Sequence, residues 1–335
     1  MSARLRRTAR ELVAGGLGML STGESRTTLS ARLERAGVAG GAEHRRAFRQ
    51  LLVTTPELHR RISGVVLSEE TFGQRLDNGV PFPLAVCELG MAPGIKADIG
   101  AESLAGAPGE CVTAGLDHLR DRLTGYAERG ARFATWRALF TIGEGRPSER
   151  ALRANAHVLG RFAALCQELG VLPVVEPRVL SAGDHTIRTC ADVTSVTLLL
   201  VMRELHDAGV DPAGVVLKPS LVRPGAWSGQ HSTADEIAER TVRALALVVG
   251  TELAGIAVGW GAPDPMRAAD TLAALRRRCA PWPITFCFGR ALTDPVLAAW
   301  RGDPARAEDG QRALATQVAT LAAAVQGRSE PDDLY

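Results

Sequence analysis

Residues 149–177 read ERALRANAHVLGRFAALCQELGVLPVVEP, and this stretch combines two different periodicities. Its first part, Glu149–Leu169, repeats apolar residues at the spacing of three and four that is typical of an amphipathic helix. A short apolar, β-branched run, Pro173–Glu176, then ends before another proline, which is typical of a buried strand. The stretch therefore predicts a helix followed by a strand.

The same alternation recurs along the chain. Further helical patterns cover Val193–Ala208, Ala234–Val249, Asp264–Arg278 and Ala305–Ala324. Eight candidate strands result: Leu17–Leu20, Gly64–Leu67, Gly94–Asp98, Phe133–Phe140, Pro173–Glu176, Val215–Lys218, Gly255–Val258 and Ile284–Phe288. Eight strands alternating with helices favour a closed (β/α)₈ TIM barrel. An open doubly wound sheet stays as the alternative, because one miscounted strand would change the topology.

Length and charge limit the possible partners. A chain of 335 residues with 46% hydrophobic content predicts one α/β domain over residues 1–335, with a polar tail from about residue 325. The net charge of +2 comes from 39 basic and 37 acidic residues scattered without long runs, so we expect neither a nucleic-acid partner nor a membrane surface. A small-molecule substrate is favoured.

Targeting and redox signals indicate a cytoplasmic protein. The arginine-rich N-terminus is interrupted by Glu11 and several glycines, which is too polar for the core of a signal peptide. No run of about 18 apolar residues predicts a membrane span. The six cysteines include no C-x-x-C pair, which argues against zinc and against a disulfide framework and favours reduced thiols.

Lysine is rare in this chain. Only two of the 39 basic residues are lysine, Lys96 and Lys218, and the other 37 are arginine. A lysine can lose its proton and become a nucleophile, whereas an arginine cannot. These two positions are therefore candidates for amine chemistry, with GC-rich coding bias as the alternative explanation.

In a TIM barrel, residues at the carboxyl ends of the strands line the site. Lys218 ends the run GVVLKPSLV, so its ammonium is expected to emerge from an apolar wall into the barrel mouth. Burial and nearby cations would lower the pKa of Lys218, as an imine-forming lysine needs. Glu176, one strand earlier at the same rim, could shuttle protons. The alternative is a structural ion pair between the two residues.

Other strand ends suggest substrate contacts. The segment ITFCFGRALTD places Gly289 and Arg290 where the last strand turns into a helix, a frequent phosphate site in these barrels. The histidines and cysteines show no metal-ligand spacing, so we expect no metal. No nucleotide-binding glycine motif is present, and we expect no cofactor. The expected strand-end residues are Lys96, Arg137, Glu176, Lys218, Trp260 and Arg290.

Several long runs, read in order, resemble class I fructose-bisphosphate aldolase. They are FRQLLVTTPELHRRISGVVLSEETFGQ, GIKADIG, WRALFTIGEGRPSERALRANAHVLGRFAALCQELGVLPVVEP, AGDH, VLKPSLV and TFCFGRAL. The resemblance extends from about Arg10 to Tyr335 and implies a TIM barrel, a homo-oligomer and an imine between a lysine and a ketose phosphate. It is more specific than any single motif.

The resemblance also implies roles for individual residues. Lys218 matches the imine-forming lysine and Glu176 the acid and base, while Tyr335 matches a C-terminal tyrosine that exchanges a proton with the enamine. Matches to phosphate- or substrate-binding positions are Lys96, Arg137, Arg290, Arg32 and Ser25.

Four departures from the family pattern concern the same site. Gly23 replaces an aspartate and Thr135 a lysine, and both lost groups serve the cleaved carbinol. Arg178 replaces a glutamate, and Trp260 with Gly259 replaces the Ser-Gly pair of a phosphate loop. Because one such catalytic group commonly increases the reaction rate by about two orders of magnitude, we expect weak cleavage of fructose 1,6-bisphosphate. Arg178 and Trp260 predict a substrate that lacks one phosphate and carries a carboxylate.

Three functional hypotheses remain. The first is an aldolase-type lyase that makes or breaks a C–C bond in a sugar-phosphate-like or related carbonyl substrate, in glycolysis or specialised biosynthesis. The second is an enzyme that uses the imine for another reaction, such as dehydration or deprotonation, since Lys218 and Glu176 suffice for an enamine. The third is a non-catalytic paralogue on an inherited barrel.

Overall fold

The computed structural model describes residues 3–260 and 264–327. The strands of this part of the chain are β1 Gly18–Ser21, β2 Ile62–Leu67, β3 Ala92–Lys96, β4 Gly100–Ser103, β5 Cys111–Ala114, β6 Phe133–Phe140, β7 Leu172–Val179, β8 Val216–Leu217, β9 Gly255–Val258 and β10 Ile284–Phe288. Eight of them form a closed parallel barrel in the order β1, β10, β9, β8, β7, β6, β3, β2. The predicted TIM barrel is confirmed, and the open sheet is wrong.

Helices surround the barrel. Within the described ranges they are α1 Ala3–Val13, α2 Arg26–Arg35, α3 Ala42–Val53, α4 Glu69–Phe72, α5 Phe82–Glu88, α6 Leu119–Glu128, α7 Glu149–Glu168, α8 Ile187–Asp207, α9 Ala234–Ala246, α10 Pro265–Arg277, α11 Arg290–Trp300 and α12 Ala307–Gln326. Three of the long ones begin after a hydroxyl side chain that accepts a hydrogen bond from the first turn. These caps are Ser148 for α7, Thr186 for α8 and Thr233 for α9.

The amino-terminal end of the barrel is closed by α1. Leu5, Ala9, Leu12 and Val13 of this helix are buried in the apolar cluster that fills the barrel interior. The strand residues of that cluster are Met19, Val66, Ala92, Phe133, Leu172, Val174, Val216, Ala257 and Cys287. With this end sealed by apolar packing, the opposite end, where the strands finish, is left for the site.

Two features differ from the sequence prediction. The strand expected at Val215–Lys218 is only Val216–Leu217, because Pro219 has no N–H to continue the ladder. The antiparallel hairpin of β4 and β5 was missed, since its strands are short and mostly exposed or half-buried. Its connection to the barrel is polar: the Thr113 hydroxyl donates to the Arg137 carbonyl at 2.7 Å.

Gly94 of β3 gives the clearest test of the packing in the barrel. A Cβ at Gly94 would lie 2.2 Å from the Phe133 ring of the neighbouring strand. We expect Gly94→Ala to lower the free energy of unfolding by about 1–3 kcal/mol through overpacking. Gly125 of α6 is the matched control, because its Cβ would meet nothing within 4 Å. Gly125→Ala should raise the free energy of unfolding by about 0.5–1 kcal/mol, because alanine has the higher helix propensity. Denaturant unfolding measures both variants. Two variants of equal stability would contradict this account.

Candidate active site

A cavity of about 410 Å³ opens at the carboxyl ends of the barrel strands. Ten of the twelve residues predicted for the site line it, contributed by different strand ends and loops. They are Ser25, Lys96, Thr135, Arg137, Glu176, Arg178, Lys218, Trp260, Gly289 and Arg290. Gly23, predicted as a lost carboxylate position, lines it as well. The fold therefore brings residues far apart in sequence into one chamber.

Lys218 and Glu176 form a buried ion pair on the wall of this cavity. Lys218 follows β8 directly, and its backbone N–H donates to the Val175 carbonyl of β7 at 2.7 Å. This pairing places the Lys218 side chain beside Glu176, so that Nζ donates to Oε2 at 2.9 Å. Both side chains are buried. A proton can therefore pass directly between the amine and the carboxylate.

The predicted lowering of the pKa of Lys218 is wrong. Burial lowers this pKa, but the acidic groups Cys287 and Glu176, together with the hydrogen bond to Glu176, outweigh burial and raise it above its ordinary value. Burial also raises the pKa of the Cys287 thiol, so the thiol is neutral near pH 7 and Glu176 is the group that keeps Lys218 protonated. The resting state is an ion pair, and the amine must lose its proton to Glu176 before it can attack a carbonyl.

Cations around Glu176 keep this carboxylate ionised. Burial alone would raise the pKa of Glu176, but the charges of Lys218, Arg137 and Arg178 lower it by more. The pKa of Glu176 therefore lies below its ordinary value. Arg137 pairs with Glu176 in the register of β6 and β7, and Arg178 Nη1 lies 3.8 Å from Glu176 Oε1. Burial lowers the pKa of Arg178, and repulsion from Arg137 and Arg290 lowers it further.

The second lysine is also held by a carboxylate. Lys96 ends β3, and its Nζ donates to Asp98 Oδ1 at 2.6 Å and to the Asp98 carbonyl at 2.8 Å. Asp98 is buried and lines the cavity. It was not predicted as a site residue, although it ends the predicted strand Gly94–Asp98; the observed strand ends at Lys96. Thr135 faces Lys96 in the register of β3 and β6. A Cβ at Gly23 would lie 3.1 Å from the Lys96 Cβ.

The start of α11 forms the side of the cavity nearest β1. Gly289 is the cap residue and offers no side chain, so the first N–H groups of the helix lack a side-chain acceptor. Such a helix end attracts anions, and the exposed Arg290 adds a full positive charge beside it. This geometry suits a phosphate or another anion.

Trp260 lies two residues after the end of β9 and is the last described residue before residues 261–263. Its indole is buried on the cavity wall, and Nε1 has no hydrogen-bond partner among the described residues. The Arg223 guanidinium lies over the ring, 4.8 Å from its centroid. Arg223 was not predicted for the site, because its place in the loop after Lys218 gave no sign that its guanidinium packs on the Trp260 ring.

Arg32 requires a correction, because it does not line the cavity. Its guanidinium is buried behind the wall, where it pairs with Glu24, with Asp294 at 2.5 Å and with the Thr293 hydroxyl at 3.0 Å. These partners occupy its donors, so Arg32 holds the loop after β1 against α11 instead of meeting substrate. Tyr335, the predicted proton-exchange residue, lies outside the described residues.

The described residues show neither a membrane-spanning helix nor a cluster of metal-binding side chains. No helix in these ranges is long and apolar enough to cross a membrane. No group of three or more histidine, cysteine, aspartate or glutamate side chains with the spacing of a metal site occurs there either.

A closed parallel barrel with a lysine and a carboxylate at the carboxyl ends of adjacent strands is the framework of barrel enzymes that act through a Schiff base. The family model "Fructose-bisphosphate aldolase class-I" matches residues 4–333. The chain belongs to the class I fructose-bisphosphate aldolase family, which comprises aldehyde-lyases that form a Schiff base.

Individual relatives agree with this family. A probable fructose-bisphosphate aldolase class 1 of Xanthomonas campestris is 43% identical over 300 residues, which cover 89% of this chain and 90% of the relative. The cytosolic fructose-bisphosphate aldolase 4 of Arabidopsis thaliana is 40% identical over 95% of this chain and 81% of its own length. The solved aldolase of Plasmodium falciparum, in complex with TRAP and an inhibitor, superposes with a TM-score of 0.95 at 33% identity, covering 98% and 95% of the two chains.

The charge balance at Lys218 predicts a shift in pH dependence. Glu176→Gln removes the charge that raises the pKa of Lys218 and leaves burial and Arg178, which lower it. The amine reacts only when deprotonated, so the half-maximal pH for adduct formation should move below that of the native chain. The maximal rate should fall by about a hundredfold or more, since proton transfer is lost. Borohydride trapping with dihydroxyacetone phosphate between about pH 6 and 12, a range that includes the raised pKa of the native Lys218, measures both quantities.

Glu168→Gln is the matched control for this prediction, because Glu168 is exposed and pairs only with Arg120 in the described chain. It should leave both quantities as they are in the native chain. An unchanged or higher half-maximal pH in Glu176→Gln would show that Glu176 does not set the protonation of Lys218.

Proposed function

We propose that this chain is an aldolase-type lyase that makes or breaks a C–C bond through a Schiff base on Lys218. The single observation that carries the proposal is the buried 2.9 Å contact between Lys218 Nζ and Glu176 Oε2 on a cavity wall. An imine needs a nucleophilic amine and an acid that removes water, and both are adjacent here. The substrate class that we infer is a carbonyl compound, sugar-phosphate-like or related.

In the proposed steps, Glu176 first accepts a proton from Lys218 and later donates it to the reaction intermediate. Lys218 first passes a proton to Glu176, and the neutral amine then attacks the substrate carbonyl to give a carbinolamine. Glu176 returns that proton to the carbinolamine hydroxyl, which leaves as water while the C=N bond forms. The positively charged iminium then attracts the electrons of the C–C bond one carbon further along. The hydroxyl beyond that bond releases its proton to solvent and becomes the leaving carbonyl, and the bond electrons form an enamine on Lys218. Arg137 and Arg178 keep Glu176 able to release its proton.

Cleavage of a bisphosphorylated ketose also needs a base for the hydroxyl on the far side of the broken bond. Each carboxylate of the described cavity wall is already paired: Glu24 with Arg32, Asp98 with Lys96, and Glu176 with Lys218. Gly23 and Thr135, where the family pattern has an aspartate and a lysine, supply neither a base nor a cation. These pairings support the inference that fructose 1,6-bisphosphate is cleaved weakly.

The same observation favours one second candidate. An imine enzyme that deprotonates or dehydrates its substrate needs Lys218 and Glu176 but no base for the carbinol. A lyase acting on a substrate with a different leaving carbonyl remains our first proposal, because the family acts as aldehyde-lyases. Product analysis with the trapped substrate separates the two, since only the lyase changes the number of carbon atoms.

Other features of the proposal come from the family resemblance. We infer a single aldolase-like domain over residues 1–335 with a tail from about residue 325, assembled as a homo-oligomer in the cytosol and acting without a cofactor. The cytosolic relative of Arabidopsis thaliana supports the location. We keep Ser25, Lys96, Arg137, Gly289 and Arg290 as substrate-binding residues and Tyr335 as the residue that protonates the enamine.

Turnover of fructose 1,6-bisphosphate tests the role of the missing groups. Loss of about two orders of magnitude from a typical 10 per second predicts a value near or below about 0.1 per second in a coupled cleavage assay. The double variant Gly23→Asp, Thr135→Lys should raise this value at least about tenfold, because it restores both groups next to Lys96.

Gly41→Asp is the control, since Gly41 begins α3 and a Cβ there meets nothing within 4 Å. It should leave the turnover unchanged. A native turnover near about 10 per second would end the weak-cleavage proposal.

The two-lysine composition makes the covalent step unusually easy to locate. Borohydride reduction with dihydroxyacetone phosphate, followed by peptide mass mapping, should give an adduct on Lys218. Lys218→Arg should abolish the adduct, because a guanidinium stays protonated. Lys96→Arg is the matched variant, and its adduct should remain on Lys218, since arginine preserves the ion pair with Asp98. An adduct on Lys96 in the native chain would overturn the assignment of Lys218.

A further inference from the structure

A second, smaller cavity leads away from Lys218 between the loops that follow β7 and β8. Its volume is about 140 Å³, and Lys218 and Glu176 are among the residues that line it. Arg178, Ser181 and Arg223 line it as well. A molecule whose carbonyl is attached to Lys218 can therefore extend a substituent into this cavity, which we call the β7–β8 cavity.

The β7–β8 cavity contains more positive than negative charge. The carboxylate nearest to Arg178 is Glu176 at 3.8 Å, and Glu176 is already bonded to Lys218 at 2.9 Å. Arg223 has no carboxylate within 4.0 Å among the described residues, and its polar partner there is the Ser181 hydroxyl, 3.3 Å from Nη2. Arg223 is half-buried and its guanidinium keeps its charge, so an anionic group of a ligand would find an unpaired cation there.

The electrostatics of Arg223 agree with this picture. Burial lowers the pKa of Arg223, and repulsion from Arg267 and Arg178 lowers it further. Both effects are those of a cation surrounded by too little negative charge. The Trp260 ring under the guanidinium, at 4.8 Å, compensates only in part and fixes the position of Arg223. The indole thus holds a cation toward the β7–β8 cavity, at a place where the family pattern has a phosphate loop.

We propose that the β7–β8 cavity binds a carboxylate of the substrate, so that the true substrate is an oxo acid. The inference deepens the proposed function and rests on it, since the oxo group is the one that Lys218 would bind. The cavity holds three cations, Lys218, Arg178 and Arg223, against one carboxylate, Glu176, so it favours an anion. The Trp260 indole, in place of the family's phosphate loop, favours a carboxylate over the larger phosphate. A carboxylate also matches the two parallel N–H donors of a guanidinium. Gly289 and Arg290, across the barrel mouth, stay available for a phosphate.

Borohydride trapping with probes that differ only in charge tests this inference. Pyruvate and 4-oxopentanoate, whose carboxylates lie at different distances from the carbonyl, are each compared with their methyl ester. We expect at least one acid to be trapped on Lys218 about tenfold faster than its ester, the effect of one charge-assisted contact. Arg223→Gln should reduce that acid-to-ester ratio by about tenfold, and Arg178→Gln should reduce it as well.

Arg203→Gln is the matched control, because Arg203 is an exposed residue of α8 that pairs with Asp207. It should leave the ratio within about twofold of the native value. The ratio is measured within each variant, so a general loss of folded protein cancels, and circular dichroism verifies the fold of Arg223→Gln.

The outcomes separate the two proposals. If neither acids, esters, dihydroxyacetone nor its phosphate gives an adduct, the Schiff-base function itself is wrong. If acids and esters are trapped equally, or Arg223→Gln leaves their ratio unchanged, only the carboxylate site is overturned. If Arg223→Gln changes the preference for dihydroxyacetone phosphate over dihydroxyacetone but not the acid-to-ester ratio, the cavity binds phosphate and the oxo-acid assignment is overturned.

Discussion

The ammonium of Lys218 and the carboxylate of Glu176 face each other at 2.9 Å in a wall that is otherwise shielded from water. Neither charge could be buried alone, because an unpaired buried ion loses several kcal/mol of hydration. The parallel register of β7 and β8 brings the two groups together, since Lys218 donates its backbone N–H to the residue just before Glu176. The fold therefore sets the distance, and the distance makes proton exchange possible.

This pair also explains why the surrounding cations are arginines. Arg137 and Arg178 lower the pKa of Glu176 without competing for its proton, because a guanidinium does not deprotonate. Lysines at the same places could exchange protons with Glu176 and so compete with proton transfer between Glu176 and Lys218. Both lysines of the chain lie at the cavity, and each is bonded to a carboxylate, at 2.6 Å for Lys96 and 2.9 Å for Lys218. At this cavity, the cations that supply only charge are therefore distinct from the amines that can transfer a proton.

Much of this arrangement could be predicted from the sequence, and the failures have physical causes. The barrel strands were predictable because apolar runs that end in glycine or proline leave a strong local signal. The β4–β5 hairpin left none, since its residues are short of apolar alternation. The pKa of Lys218 was predicted in the wrong direction because burial was weighed without the 2.9 Å contact to Glu176. Asp98 and Arg223 enter the site through side-chain direction, which sequence spacing does not record.

The helix that closes the floor of the barrel has a consequence for how the protein is made. The ribosome synthesises α1 before the barrel strands, yet the buried face of this helix packs against interior residues as distant in sequence as Ala257 and Cys287. α1 can therefore pack against the amino-terminal end of the barrel only after almost all barrel strands have been synthesised. Until then the apolar face of α1 lacks its native contacts. Contacts of such long sequence separation slow folding. Partly folded, aggregation-prone intermediates then expose apolar surface for longer. A tag or chaperone that covers the apolar face of α1 would therefore delay a late step of folding, although this helix lies at the end of the barrel opposite the site.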